Sequence, residues 1–144
     1  MLIAPYISKE EYRCGGIEGK HCGRLPPDLN EPYANVYESL FYSFEKWRKA
    51  WGKPIPIRSG YRCPEYNAAI GGEKASVHMF GAALDGDFLT VEEVDAAYKL
   101  LDEMFPLLRI GKYTKTGSFL HMDTGYLIFP RLSESWVHGA RWFK

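Results

Sequence analysis

The chain has no excess of charge: Lys plus Arg and Asp plus Glu each number 18 in 144 residues, so the formal net charge is zero. That removes the electrostatic basis for gripping nucleic acid or an acidic membrane surface. No apolar run approaches the ~20 residues of a membrane span. Residues 1–14, MLIAPYISKEEYRC, lack the basic leader, long apolar core and small-residue cleavage site of a signal peptide. Synthesis in a cytoplasm is therefore expected. Cysteine is scarce. Cys14, Cys22 and Cys63 are an odd set, which argues against a disulfide framework. No internal repeat or low-complexity segment is present.

What the chain does have is apolar and aromatic matter, 46% and 15% of its residues, ample for one domain spanning 1–144 around one core. Residues 1–31 are rich in turn formers (CGGIEGKHCG, LPPDLNEP) and read as an irregular arm wrapping that domain. Residues 33–51 read as an amphipathic helix, with Val36, Leu40, Phe44, Trp47 and Trp51 on one stripe and Gly52 and Pro54 as stop signals. IPIRS (55–59) is a strand, and PEYNAAI (64–70) a short helix closed by Gly71 and Gly72. AALDGDF (82–88) alternates as a strand does. Thr90 and Glu93 form a capping box for a helix over 91–105, whose apolar positions are Val91, Val94, Ala97, Leu101 and Met104. LLRIGKY (107–113) and FLHMDTG (119–125) pair across the loop TKTGS, and the tail 126–144 shows no pattern. The fold class is α+β: a small, mostly antiparallel sheet with helices packed against it.

The chemistry concentrates in SVHMFGAALDGDF (76–88) and FLHMD (119–123). Residues i and i+2 share a strand face, so His121 and Asp123 point one way and Leu120 and Met122 the other. Asp85 and Asp87 likewise point together, opposite Leu84. If the two strands are neighbours, His121 and Asp85 meet, with His78 in the loop entering the first strand. Two imidazoles and one carboxylate can hold a zinc ion and leave a fourth position open, the hallmark of a catalytic rather than a structural site. Ordinary polar roles remain the alternative on spacing alone. Cys14 and Cys22 flank a turn containing His21. With Cys63 they are a conceivable second, structural metal site, but CxxC spacing is absent and free thiols are the expected outcome.

SGYRCPEYN (59–67), the glycine pair 71–72, SVHMFGAALD (76–85) and GKYTKTGSFLHMD (111–123) resemble the zinc D-Ala-D-Ala carboxypeptidase-like family of peptidoglycan peptidases. That family shares its fold with the Hedgehog signalling domain, and the similarity is greatest to its short bacterial and phage members. The resemblance covers residues from about 33 to 125 and keeps the pattern S-x-H-x-x-G-x-A-x-D followed by H-x-D intact. It implies that His78, Asp85 and His121 bind zinc and that Arg62 lines the cleft and pairs with a substrate carboxylate or carbonyl oxygen. It also implies that Ser76 supports the ligand loop or the substrate. A guanidinium suits that task, being always charged and bidentate; a surface salt bridge is the alternative.

One departure stands out. Many members carry a glutamate three residues before the second histidine ligand; here Ser118 occupies that position. A metallopeptidase needs a base for its water, and losing one costs roughly 10²–10⁴ in rate. Asp123 is the preferred substitute, with a holding role toward a ligand histidine as its alternative. Asp87 and His138 are weaker candidates. The expected function is zinc-dependent hydrolysis of peptidoglycan stem peptides or cross-links, as a D,D-carboxypeptidase or a lysin-like endopeptidase acting on the cell wall. A non-catalytic zinc-bearing module that binds wall peptide or a protein partner is the second reading. Expected partners are a peptidoglycan peptide and no nucleic acid or membrane, with the chain acting as a monomer.

Overall fold

In a computed structural model the structure describes residues 2–26, 34–128 and 130–144; of residues 2, 3 and 34–37 only the backbone is described. Part of the expected irregular arm, the first residue of the expected long helix and the side chain of Val36 therefore lie outside the described residues. Two sheets form. A small hairpin joins β1 (Leu2–Ala4) and β2 (Ile7–Ser8). The main sheet has the order β3-β4-β6-β5-β7, with β3 (Ile57–Ser59), β4 (Ala83–Asp87), β5 (Arg109–Tyr113), β6 (Phe119–Asp123) and β7 (Arg141–Phe143). All its pairings are antiparallel except β5 with β7. The α+β class with a mostly antiparallel sheet is thus the observed one.

Helix α2 (Ala34–Trp51) forms where the apolar stripe runs. Leu40, Phe44 and Trp47 are fully buried, and Trp51 packs partly against the same cluster. Each such side chain removed from water contributes roughly 1.5–3 kcal/mol. Trp47 also places its indole N–H, donating to the Ala97 carbonyl at 3.1 Å. Ala97 lies in α4 (Val91–Met104), which buries Val94, Ala97 and Leu101 and leaves Val91 41% exposed. Thr90 caps α4 by accepting the Glu93 amide at 3.1 Å; the Glu93 carboxylate instead reaches toward Lys53, 3.9 Å away. The sheet face opposite these helices' solvent side carries Leu84, Ile110, Leu120 and Met122, all fully buried in the common core.

Two parts of the chain have more order than their sequence suggests. The arm contains α1 (Lys9–Tyr12), started by a full capping box in which Ser8 and Glu11 satisfy each other's backbone. Ile7, Tyr12 and Cys14 from this arm enter the main core. The tail supplies β7. A parallel edge strand of three residues carries no hairpin or alternation signal of its own, so only its partner β5 defines it.

Candidate metal centre and cleft

The register of β4 and β6 sets the site. Asp85 stands directly opposite His121, and Ala83 opposite Asp123. Because side chains alternate, Leu84 and Met122, also opposite one another, enter the core while Asp85 and His121 emerge on the other face. His78 comes from a 3-10 helix (Val77–Phe80) capped by Ser76, whose hydroxyl accepts the His78 amide at 3.3 Å. Gly81 ends that helix in the left-handed region, and the chain drops into β4. A second small apolar cluster of Val77, Ala82, Ala83, Ile128 and Trp136 packs beside it.

These elements bring one ligand atom each of His78, Asp85 and His121 within 4.8 Å of one another, all three residues buried. The orientations are fixed from outside. Nδ1 of His78 lies 2.7 Å from the Gly60 carbonyl, which leaves Nε2 facing Asp85 Oδ1 at 3.5 Å. Nδ1 of His121 lies 2.9 Å from the same Oδ1, and its Nε2 lies 2.5 Å from Asp123 Oδ2. Each imidazole thus turns one nitrogen inward and has the other held by an oxygen acceptor, the arrangement that fixes tautomer and aim in metal-bound histidines. Two inward imidazole nitrogens and a carboxylate match the donor set of an open zinc site.

Charge supports the same picture. Burial works against ionising Asp85, yet the neighbouring imidazoles of His78 and His121 more than offset it and hold its pKa well below the usual carboxylate range. Burial likewise disfavours charge on His121, but hydrogen bonds to Asp123 and Asp85 win and raise its pKa to about 9. Burial dominates at His78 and lowers its pKa despite Asp85. A buried anion flanked by two imidazoles is poised for positive charge.

The centre forms part of a cleft of about 560 Å³, to which Arg62, Glu73, Ser76, Tyr113, Trp136 and Trp142 also contribute. Arg62 is not a free surface cation. Its guanidinium donates to Ser59 Oγ (3.1 Å) and Asn67 Oδ1 (3.4 Å) and lies 3.6 Å from Asp85 Oδ2. Ser76 lines the cleft and supports the His78 segment at once.

Asp123 has no exposed surface; Oδ2 meets His121, and Oδ1 accepts from the Gly125 amide (2.9 Å) and Arg109 (3.3 Å). Such a carboxylate is placed to hold His121, and it also lines the cleft. Asp87, at the far end of β4, pairs with Arg58 at 3.5 Å and is absent from the cleft lining. His138 is exposed and likewise outside that lining.

Among the cleft residues that sequence reasoning missed are Arg109, Trp142 and Glu73. Arg109 stands opposite Asp123 in the β5–β6 register and is buried; an arginine inside the apolar run LLRIG was its signal. Trp142 reaches the His121 ring, 5.3 Å between centroids, because Gly111 beneath it carries no side chain. Glu73, just before the ligand loop, is the exposed carboxylate of the lining.

No curated protein matches this chain. A sequence model for Peptidase M15 matches residues 20–123, which include every strand of the site's wall from β3 to β6 and all three clustered donors. With well over half its length matched and the donors converging in a cleft, the chain belongs to the Peptidase M15 family of metallopeptidases.

Proposed function

We propose that this chain is a zinc-dependent peptidase that hydrolyses peptidoglycan stem peptides or their cross-links. One observation carries the reading: Asp85 and His121 are directly opposed on paired strands, with His78 Nε2 turned toward them, in an open cleft that also holds Arg62. Zinc bound by His78, Asp85 and His121 would polarise a scissile carbonyl and lower the pKa of a bound water toward ~7. The chain's own groups do the rest. Arg62, fixed by Ser59 and Asn67, offers its remaining N–H edge to a substrate carboxylate or carbonyl oxygen. Asp123 holds the His121 ring at Nε2, and Gly60 holds the His78 ring at Nδ1. Glu73, exposed and lining the same cleft, is one carboxylate that would accept a proton from a cleft water; Asp123, which also lines it and holds His121, is the other. Residues 1–144 act as one domain, working as a monomer on the bacterial wall, in a phage or bacterial setting.

The test is incubation of the purified chain, loaded with zinc, with cross-linked muropeptides, followed by mass spectrometry of the products. Cleavage by the wild type that disappears in His121→Ala is expected. The product masses distinguish removal of a terminal residue from scission of a cross-link.

Ser118, in place of the glutamate many relatives carry, favours a second reading: a zinc-bearing module that binds wall peptide without cutting it. Zinc bound at the cleft together with intact muropeptides would establish that reading and end the first.

A further inference from the structure

Away from the cleft, the arm and the start of α3 (Pro64–Ala69) bring together all three cysteines and one histidine. One atom each of Cys14, His21, Cys22 and Cys63 lies within 4.8 Å of the others. His21 Nδ1 is 3.5 Å from Cys14 Sγ and 3.3 Å from Cys63 Sγ. For zinc–sulfur bonds of about 2.3 Å and zinc–nitrogen bonds of about 2.0–2.1 Å at tetrahedral angles, the nitrogen–sulfur edge is about 3.5 Å. The two observed nitrogen–sulfur separations match that edge, and the three cysteines are free.

Local structure is organised around the sulfurs. Gly15, at φ +90°, leaves no room for a Cβ against the His21 backbone nitrogen, and this close approach turns the loop back on itself. Backbone bonds from Cys14 N to Arg24 O (2.9 Å) and from Gly23 N to Cys14 O (3.1 Å) then close the loop. Every sulfur receives an N–H: Cys14 from the Cys63 amide (3.4 Å), Cys63 from the Tyr66 amide (3.4 Å), Cys22 from Arg24 Nε (3.3 Å). These bonds fix the direction in which each of the three sulfurs points.

We infer that Cys14, His21, Cys22 and Cys63 form a second metal site, a closed Cys3His site for structural zinc that clasps the arm to the wall of the cleft. A closed four-ligand site with thiolates is structural by donor count, in contrast to the open sulfur-free group in the cleft. Cys63 follows Arg62 directly, and the Arg62 amide donates to the His78 carbonyl at 3.1 Å, so the clasp fastens the segment after β3 that carries Arg62 and bonds to the His78 turn. The inference does not depend on the proposed peptidase activity.

Sulfur makes the two sites separable. The reduced, metal-free chain is titrated with cobalt(II) and followed by visible and near-ultraviolet absorption, and zinc is counted by elemental analysis. Expected are a thiolate-to-cobalt charge-transfer band that survives in His121→Ala and about two zinc ions per wild-type chain, falling to about one in Cys22→Ser. Cys22 is exposed, so that variant opens no core cavity. Absence of the charge-transfer band in the wild type, or a mass showing an internal disulfide in the freshly isolated chain, would overturn the assignment. Absence of peptidase activity from the wild type, with the band present, would count against the proposed function alone.

Discussion

Asp123 meets His121 at the ring nitrogen that points away from Asp85: 2.5 Å on one side of the imidazole, 2.9 Å on the other. The ring is therefore aimed by a carboxylate whose own second oxygen is pinned by Arg109 and the Gly125 amide. Asp123→Asn keeps the shape and removes the charge. Metal affinity at the cleft should fall by about 10–100-fold, measured by competition with a chromogenic zinc chelator. Unchanged affinity would remove the holding role from Asp123.

Gly60 should prove as sensitive as a ligand. Its carbonyl accepts from His78, while a Cβ there would stand 2.6 Å from the Tyr12 carbonyl oxygen and 2.8 Å from the Tyr12 Cα. Backbone atoms cannot step aside as a flexible side chain can. Gly60→Ala is expected to cost about 1–3 kcal/mol of stability, read from chemical denaturation, and to weaken metal binding with it. Gly71→Ala, at a turn with open space but φ +70°, costs stability through backbone strain and should spare metal binding, which separates the two effects.

Trp47 joins α2 to α4 through its buried ring and its bond to Ala97. Trp47→Ala leaves a cavity and removes the indole N–H bond to Ala97. A loss of about 3–5 kcal/mol is expected, seen as a lower denaturation midpoint at unchanged slope.

Glu45 gives a pH dependence whose sign can be worked out. Burial raises its pKa, against the Tyr6 amide (2.9 Å to Oε1) and Arg48, which lower it. A raised folded-state pKa means that the stability it contributes is present below the unfolded value, about 4.3, and is lost as pH rises through the folded value. At pH 7 the charged carboxylate is thus a burden. Glu45→Gln, which keeps an acceptor for Tyr6, should raise the melting temperature at pH 7, with the gain shrinking as the pH falls through the raised folded value and gone below about 4.3. A gain that stays constant with pH would assign the effect to packing instead.

Much of this was legible in the chain. Period-2 alternation in FLHMD placed Leu120 and Met122 in the core and His121 opposite them, and the 3.6-residue stripe located α2 and α4. What alternation cannot tell is depth. It assigned Asp123 correctly to the face of His121 but could not see that Arg109 and the turn at Gly125 would enclose it. The capping box Ser8–Glu11 carries the same S/T-x-x-E signal as Thr90–Glu93, yet the turn-rich residues after it hid the short helix. Trp142 and β7 were invisible because a three-residue parallel edge takes its definition from β5, 31 residues earlier at the Gly111–Trp142 pairing. The meeting of Cys14, His21, Cys22 and Cys63 depends on a contact between the arm and α3 that no local spacing encodes.

The sheet order also implies a sequence of events. β5 and β6 are joined by a short loop and can pair early, as local hairpins do. That hairpin already carries His121 with both its supports, Asp123 and Arg109. Asp85 arrives only when β4 closes on β6 across 36 residues, and His78 arrives with it. A cation held by all three donors would then find its site only in the nearly finished molecule. It should leave the rate of folding almost untouched and act as a brake on unfolding.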